Sequence, residues 1–164
     1  MTAVEAYDLT TQGGATDFAR LIRICESFGP YCLIGGLAVN CYVEPVYTLD
    51  ADIVVISANL DRVASHSLNA SAPRSDLRIQ FITDTRYQAF LERANDAEVL
   101  GVSACVASLQ DVAQGKLWAY SDPTRRLSKR KKDELDLIRL AEAYPKLLPL
   151  YPPELVKEIS GAGG

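Results

Sequence analysis

The sequence lacks the residue patterns on which several large classes of enzyme depend. His66 is the only histidine among the 164 residues, which argues against a serine–histidine triad and against a histidine–cysteine zinc centre. There is no Walker A motif and no G-x-G-x-x-G motif. The apolar runs are far shorter than a membrane span, and residues 1–5 have neither the basic nor the apolar region of a secretory signal. We therefore expect no membrane partner.

Cysteine spacing and net charge exclude further classes. The four cysteines show no C-x-x-C spacing and each lies in an apolar stretch, so we expect reduced thiols; they are Cys25, Cys32, Cys41 and Cys105. Together with the missing signal, this favours a cytoplasmic location. The net charge is −4, which argues against a generally basic nucleic-acid-binding surface. Six of the eight residues in 125–132 are nevertheless lysine or arginine, so a local anion site is compatible with the composition.

Hydrophobic periodicity predicts helices and strands that alternate, followed by helices only. This order is typical of an α/β (α+β) fold, with a small mixed β-sheet packed by helices. We predict a single domain over 1–164, with a sheet core at about 15–107 and C-terminal helices at about 108–159. Residues 1–13 are expected to be a loose start and 67–75 a loop. The predicted strands are 31–34, 51–56, 77–82, 99–100 and 104–106. The predicted helices are 15–28, 37–43, 60–66, 87–94, 108–120 and 154–159. A further helix is predicted from the turn at 122–124 to about residue 144.

The strongest signal for chemistry is Gly35-Gly36 followed, after thirteen intervening residues, by Asp50-Ala51-Asp52. Side chains alternate along a strand, so both carboxylates are expected to point to one side. They cannot be buried together as bare charges, and paired hard oxygen ligands suit Mg²⁺ or Mn²⁺. A glycine pair at a strand-to-helix turn would let a phosphate approach backbone N–H groups. The alternative interpretation is that Asp50 is a turn residue and Asp52 a strand-edge charge.

A second polar group lies on the late helices. Arg126, Lys129, Asp133 and Asp136 are spaced by three, four and three residues, which predicts one polar stripe on a helix. The alternative is a solvated basic face, and we favour that interpretation for the outer charges Arg125, Arg130 and Lys131. Lys116 lies among apolar residues of the preceding helix; it either extends past the core to solvent or reaches a triphosphate.

These elements resemble a known family. The segment LIGGLAVNCYVEPVYTLDADIVV resembles the signature of nucleotidyltransferases with the DNA polymerase β-like fold. More narrowly, it is similar to the AbiEii-type toxin nucleotidyltransferases of abortive-infection and MenT toxin–antitoxin systems. The resemblance continues through Gly115-Lys116 and Lys132-Asp133-x-x-Asp136, and covers about residues 31–145.

The resemblance implies transfer of a nucleoside monophosphate from an NTP to a hydroxyl group, with Mg²⁺ (or Mn²⁺) as cofactor. It also implies tRNA or another RNA as acceptor, and an antitoxin protein as partner. Asp50 and Asp52 would hold the metal. The implied catalytic residues are Asp50, Asp52, Lys116, Asp133 and Asp136, and the implied nucleotide-binding residues are Gly35, Gly36, Thr48, Lys116, Arg126 and Lys129.

The sequence also departs from the family pattern. A third carboxylate is expected on the neighbouring strand, which is predicted at 77–82 and carries Arg78 and Gln80 instead. Asp76 lies at the edge of that strand, and Tyr47 occupies the place of an arginine that is frequent in the toxin group. Two other functions therefore stay open: a catalytically silent relative that binds a nucleotide or a partner protein, and an antibiotic nucleotidyltransferase.

Overall fold

A five-stranded mixed sheet forms the centre of the computed structural model, which describes residues 1–69 and 74–162. The strands are β1 (Tyr31–Ile34), β2 (Asp50–Val55), β3 (Arg78–Ile82), β4 (Asn95–Val99) and β5 (Val102–Val106). Their order is β3-β2-β1-β5-β4. Strand β1 runs antiparallel to β2 and parallel to β5; β2 and β3 are parallel, and β4 and β5 are antiparallel. The predicted mixed sheet is confirmed.

Of the three inner strands, β1 and β2 are the most deeply buried. Leu33 and Ile53 are fully buried and lie opposite each other in the antiparallel pair. Strand β2 is rich in β-branched residues, which fit a pleated surface covered on both faces. Its two aspartates at the start of the strand are therefore the only interruption of an otherwise apolar element.

Eight α-helices surround the sheet within the described residues. They are α1 (Ala3–Thr10), α2 (Gly14–Phe28), α3 (Gly35–Val39), α4 (Ser57–Asn69), α5 (Phe90–Arg93), α6 (Leu109–Ser121), α7 (Leu127–Ala143) and α8 (Pro153–Ala162). Short 3₁₀ segments lie at Thr85–Tyr87 and Pro145–Leu150. Helix α2 packs against α4, and α6 against α7. None of the described helices combines the length and apolarity that a bilayer crossing requires.

The N-terminal segment differs most from expectation. Residues 1–13 were expected to be a loose start, but α1 forms there because Thr2 and Glu5 make a reciprocal capping box. The Glu5 carboxylate accepts from the Thr2 N–H at 2.6 Å, and the Thr2 hydroxyl accepts from the Glu5 N–H at 3.1 Å. No residue of α1 is buried, which is why hydrophobic periodicity did not reveal it. The prediction of an unstructured start is therefore wrong.

Three other boundaries also differ. Helix α3 ends at Val39 rather than at 43, and the predicted helix 87–94 is a 3₁₀ turn followed by the four-residue α5. Helix α4 extends to Asn69, so the predicted loop 67–75 is wrong for its first three residues; 70–73 lie outside the described part. The strands predicted at 99–100 and 104–106 are the longer β4 and β5, and Leu100 lies in the turn between them rather than in a strand. Leu100 and Gly101 both have positive φ, as a two-residue type I′ turn requires.

The four cysteines are free thiols, as predicted. Cys25 and Cys32 are fully buried, and burial raises the pKa of each thiol to about 12. A thiol with so high a pKa is a poor nucleophile at neutral pH. These cysteines act as small core residues.

Candidate active site

Strand β2 carries both candidate metal ligands at its start. Ala51 is fully buried, whereas Asp50 and Asp52 on either side of it are partly exposed, so the two carboxylates lie on the same side of the strand, as predicted. Burial, and after it the charge of Asp50, raise the pKa of Asp52. The strand therefore presents a pair of carboxylates at one end of a buried element.

The Asp52 carboxylate has no hydrogen bond or ion pair among the described residues. Burial and the neighbouring Asp50 charge raise the pKa of Asp52 to about 6, against an ordinary value of 3.8. The opposing charges of Lys116, Arg125 and Lys129 reduce the pKa but do not restore its ordinary value. A desolvated carboxylate without a partner is costly for a fold to keep, which is typical of a site that receives a ligand.

The glycine turn lies directly against this carboxylate. Gly35 has a φ of +72°, and a Cβ at this position would collide with the Oδ2 atom of Asp52. A Cβ on Gly36 would lie 3.3 Å from the Thr48 Oγ1, which itself accepts the Asp50 N–H at 3.3 Å. Only glycine allows the turn to approach Asp52 so closely. Because α3 has only five residues, the turn offers backbone N–H groups rather than a long helix dipole.

Strand β3 has no carboxylate beside the pair. Arg78 lies opposite Asp50 and Gln80 opposite Asp52, which confirms the expected alignment of the two strands. The Arg78 Nε donates to the Asp50 Oδ1 at 2.8 Å. Asp76 lies outside the strand, where its carboxylate accepts from the Gln12 amide at 3.5 Å. The neighbouring strand thus supplies a cation where the family pattern has an acid.

A buried ion network joins α6 to α7. The Lys116 Nζ lies 3.1 Å from the Asp133 Oδ1 and 2.9 Å from the Asp136 Oδ2. Arg125 donates to Asp133 at 2.7 Å, and Arg139 donates to Asp136 at 2.8 Å and to the Glu44 carbonyl. The structure therefore brings together the three predicted catalytic residues of these helices.

Both carboxylates of this network are occupied by cations. Asp133 is 1% exposed, and the Lys116 side chain is 11% exposed. Burial disfavours the charged ammonium, but Asp136 and Asp133 outweigh it and raise the pKa of Lys116. In this arrangement Asp133 and Asp136 hold Lys116 in place. Because both carboxylates are paired with cations, neither is free to accept a proton as a general base would.

The cations that lower the pKa of Asp52 differ in part from those predicted. Lys116 and Lys129 were predicted at the site, but the third cation is Arg125, which was predicted to lie on a solvent-exposed face. The Arg126 guanidinium donates to the Ser128 hydroxyl at 3.4 Å and forms no ion pair among the described residues. Arg126 is the N-cap of α7, with extended backbone angles, so a helical stripe could not be continued to it. The signal that could have identified Arg125 is the Asp122-Pro123-Thr124 turn, which turns the chain before α7 begins.

Comparison with solved structures supports the fold. The solution structure of the antibiotic-resistance factor ANT(2'')-Ia is similar with a TM-score of 0.56 and 12% identity, covering 90% of this chain and 89% of the other. An antigenic nucleotidyltransferase-like protein from Paracoccidioides brasiliensis is similar with a TM-score of 0.51 and 15% identity, covering 90% and 85%. No family model and no curated protein matches the sequence. The sheet order, the glycine turn and these two similarities together show that the chain has the nucleotidyltransferase fold.

Proposed function

We propose that this protein transfers a nucleoside monophosphate from an NTP to a hydroxyl group. The observation that carries the proposal is the Asp52 carboxylate: it is desolvated, has no hydrogen bond or ion pair among the described residues, and lies against the Gly35 turn with Asp50 on the same side. Such a group needs a cation or a polar ligand to offset its burial. A nucleotide with its divalent ion supplies both.

The residues present fit a magnesium ion that is shared with a nucleotide. No cluster of three or more metal-binding side chains occurs in the described ranges. Asp50 and Asp52 would therefore be the protein's two ligands, and phosphates and water would supply the rest. Arg78 occupies only the Oδ1 of Asp50. When bound, Mg²⁺ neutralises charge on the phosphates and orients them for attack.

The other residues of the candidate site each have a role in binding the triphosphate. The backbone at Gly35 and Gly36 approaches the phosphates, and Thr48 supports this turn. Arg125 and Lys129 neutralise the negative tail, with Arg126 at the start of the same helix as a further phosphate contact. Lys116 contributes a fixed positive charge, because Asp133 and Asp136 hold its ammonium.

The reaction is an in-line displacement at the α-phosphorus. The acceptor oxygen forms a bond to phosphorus, the bond to pyrophosphate breaks, and the hydroxyl proton is released to water. The positive charges of Arg125, Lys129 and Lys116 stabilise the charge that develops on the leaving pyrophosphate. The acceptor suggested by resemblance to the AbiEii-type toxins is tRNA or another RNA, with an antitoxin as protein partner.

One observation favours a second candidate, a relative that binds nucleotide without turnover. Arg78 pairs with Asp50 where the family pattern has a third acid, and an arginine can bind phosphate but cannot accept a proton at neutral pH.

An antibiotic nucleotidyltransferase is a third candidate, suggested by the fold shared with ANT(2'')-Ia. The cations around Asp52 disfavour a strongly cationic drug as acceptor.

The test uses NTPs labelled at the α-phosphate, with Mg²⁺ and a panel of hydroxyl-bearing acceptors that includes purified tRNA. We expect the unaltered protein to move label onto an acceptor hydroxyl, and Asp52→Asn to lose transfer by about 100-fold or more. Asp61→Asn, an exposed aspartate on α4, is the matched control and should transfer normally. Binding of Mg–NTP by calorimetry without transfer to any acceptor would support the silent relative, and absence of both binding and transfer would refute the proposal.

A further inference from the structure

An apolar cavity lies beside the candidate active site, beneath helix α1. Its volume is about 690 Å³, within the range of roughly 300 to 1,000 Å³ typical of small-molecule sites. Helix α1 covers one side, α3 and the chain from Pro45 to Thr48 form a second, and the end of β4 closes a third. The apolar side chains that line it include Val4, Leu37, Cys41, Pro45, Val99 and Leu100.

The cavity reaches the backbone at the start of strand β2 through Thr48. Thr48 lines the cavity, accepts the Asp50 N–H on its hydroxyl at 3.3 Å, and lies against Gly36. Tyr7 also lines it and donates from its hydroxyl to the Thr48 carbonyl at 2.7 Å. A molecule in the cavity can therefore extend one end toward Asp50 while its body stays under α1.

Two of the side chains that line the cavity are aromatic. The rings of Tyr7 and Tyr47 lie 5.7 Å apart between centroids, with a tilt of 48°. Tyr47 is 59% exposed and the adjacent Val46, which also lines the cavity, is 50% exposed, so part of the apolar lining faces solvent. A lining of this kind favours a flat or apolar ligand, because burying these surfaces against it releases water.

The charges around the cavity restrict the ligand class. Among the described residues that line it, Glu98 alone is charged. None of the described lining residues is a cation that could pair with the phosphates of a nucleic-acid backbone, and one carboxylate cannot neutralise a polycation. The Asn40 amide is occupied, because it donates to the Val46 carbonyl at 2.8 Å and accepts the Val46 N–H at 3.0 Å. The lining therefore suits an uncharged molecule with an apolar or aromatic body.

We propose that this cavity is the acceptor site, and that the acceptor is a small uncharged molecule with an aromatic or apolar body and one hydroxyl group. The proposal rests on the proposed nucleotidyl transfer and differs from it in replacing RNA as acceptor. The hydroxyl oxygen forms the bond to the α-phosphorus of the NTP, pyrophosphate leaves with the electrons of the broken P–O bond, and the hydroxyl proton passes to water. Thr48 and Tyr7 position the hydroxyl end.

The first test measures binding without nucleotide, so that it does not depend on the transfer reaction. The probe is 2-naphthol, and the readout is the amide chemical shifts of the full chain. We expect shifts at cavity residues such as Leu37 and Val99. Ala6→Trp, which fills the cavity from α1, should weaken binding by roughly tenfold or more through steric exclusion. Ala19→Trp is the matched control, because Ala19 lines a separate cavity on the other side of α1.

A second cavity-filling variant, Ala3→Trp, is used if Ala6→Trp does not give a folded spectrum. Shifts outside the cavity, or equal binding by the cavity-filling and control variants, would overturn the assignment.

The second test supplies α-labelled NTP with 2-naphthol, tRNA or spermine. Label on 2-naphthol that is lost in the cavity-filling variant supports the acceptor class, whereas label only on RNA or on spermine overturns it. If no label moves and Mg–NTP does not bind, the proposed function fails, and the naphthol shifts alone decide whether the cavity binds neutral aromatic molecules.

Discussion

At the scale of single residues, the candidate site contains a carboxylate, Asp52, whose burial lowers the stability of the fold. Asp52 is desolvated beside Asp50, so its pKa of about 6 lies above the ordinary value of 3.8. Between these two values the folded chain binds more protons than the unfolded chain. The free energy of unfolding therefore falls as pH rises through this window and stays low above it. A residue that lowers stability at neutral pH is expected where function requires it.

Replacement of Asp52 by asparagine should stabilise the protein. At pH 7.5 without divalent ions, we expect Asp52→Asn to raise the free energy of unfolding by about 1 to 3 kcal/mol, because the desolvated charge is removed. The gain should shrink as the pH is lowered from about 6 to 3.8, because the native aspartate becomes protonated in this window. Chemical denaturation at several pH values measures both effects. An Asp52→Asn variant that is no more stable than Asp61→Asn at pH 7.5 would contradict this reading of Asp52.

Substitution of Gly35 should damage the turn. Gly35→Ala places a Cβ at positive φ and against the Asp52 carboxylate, so we expect a loss of about 1 to 3 kcal/mol and loss of nucleotide binding. Gly161→Ala in α8 is the control, because a Cβ there meets nothing within 4 Å. Thermal melts and calorimetry with Mg–NTP measure the two effects. Equal melting temperatures for the two variants would show that the turn does not need glycine.

At the scale of secondary-structure elements, one buried network determines how α6 meets α7. Lys116, from α6, is paired with Asp133 and Asp136, from α7, in a region that is nearly closed to water. Charges of this kind are stable only while their partners remain, because each alone would be desolvated and unpaired. The network therefore positions both helices against the candidate site.

Breaking this network should be far more costly than breaking a surface pair. We expect Lys116→Met to lose about 3 to 5 kcal/mol, because two buried carboxylates would lose their shared partner. Lys131→Met removes the exposed pair with Glu134 and should change stability by about 0.5 kcal/mol or less. Urea denaturation followed by fluorescence of Trp118 compares them. Similar midpoints for the two variants would mean that the network is not energetically distinct from a surface ion pair.

The elements that could be predicted from sequence are those with strong apolar patterning. Strands β1, β2 and β3 and helices α2, α6 and α7 were predicted with small boundary errors, because their buried faces repeat at the period of the element. Helix α1 was missed because its signal is a polar capping box rather than a buried face. The pairing of Arg125 with Asp133 was missed because it depends on how a turn directs a side chain, which helical spacing does not report.

At the scale of the whole molecule, the candidate site assembles residues that are distant in sequence. The strand order brings the Gly35 turn, the Asp50–Asp52 pair and Arg78 to adjacent positions, and α6 and α7 bring their cations toward Asp52. The sequence predicted the first two elements through their motif. The cavity under α1 could not be predicted, because it depends on a helix without buried residues and on the path of the chain at Pro45–Thr48.

The assembled site should make stability depend on the nucleotide. A non-hydrolysable NTP with Mg²⁺ at a hundredfold excess over its dissociation constant should add about 2.7 kcal/mol to the free energy of unfolding of the unaltered chain. Asp52→Asn should show little gain under the same conditions, because one ligand of the ion is lost. Thermal shift measurements with and without Mg²⁺ test this. Equal stabilisation of both proteins would place nucleotide binding elsewhere.

The most direct measurement is the position of a divalent ion in crystals grown with Mn²⁺ and a non-hydrolysable NTP. We expect an anomalous peak at the carboxylates of Asp50 and Asp52, shared with the phosphates, and a triphosphate against the Gly35-Gly36 turn. A triphosphate bound at another surface, or no peak at the pair while Arg78 still holds Asp50, would contradict the proposed site.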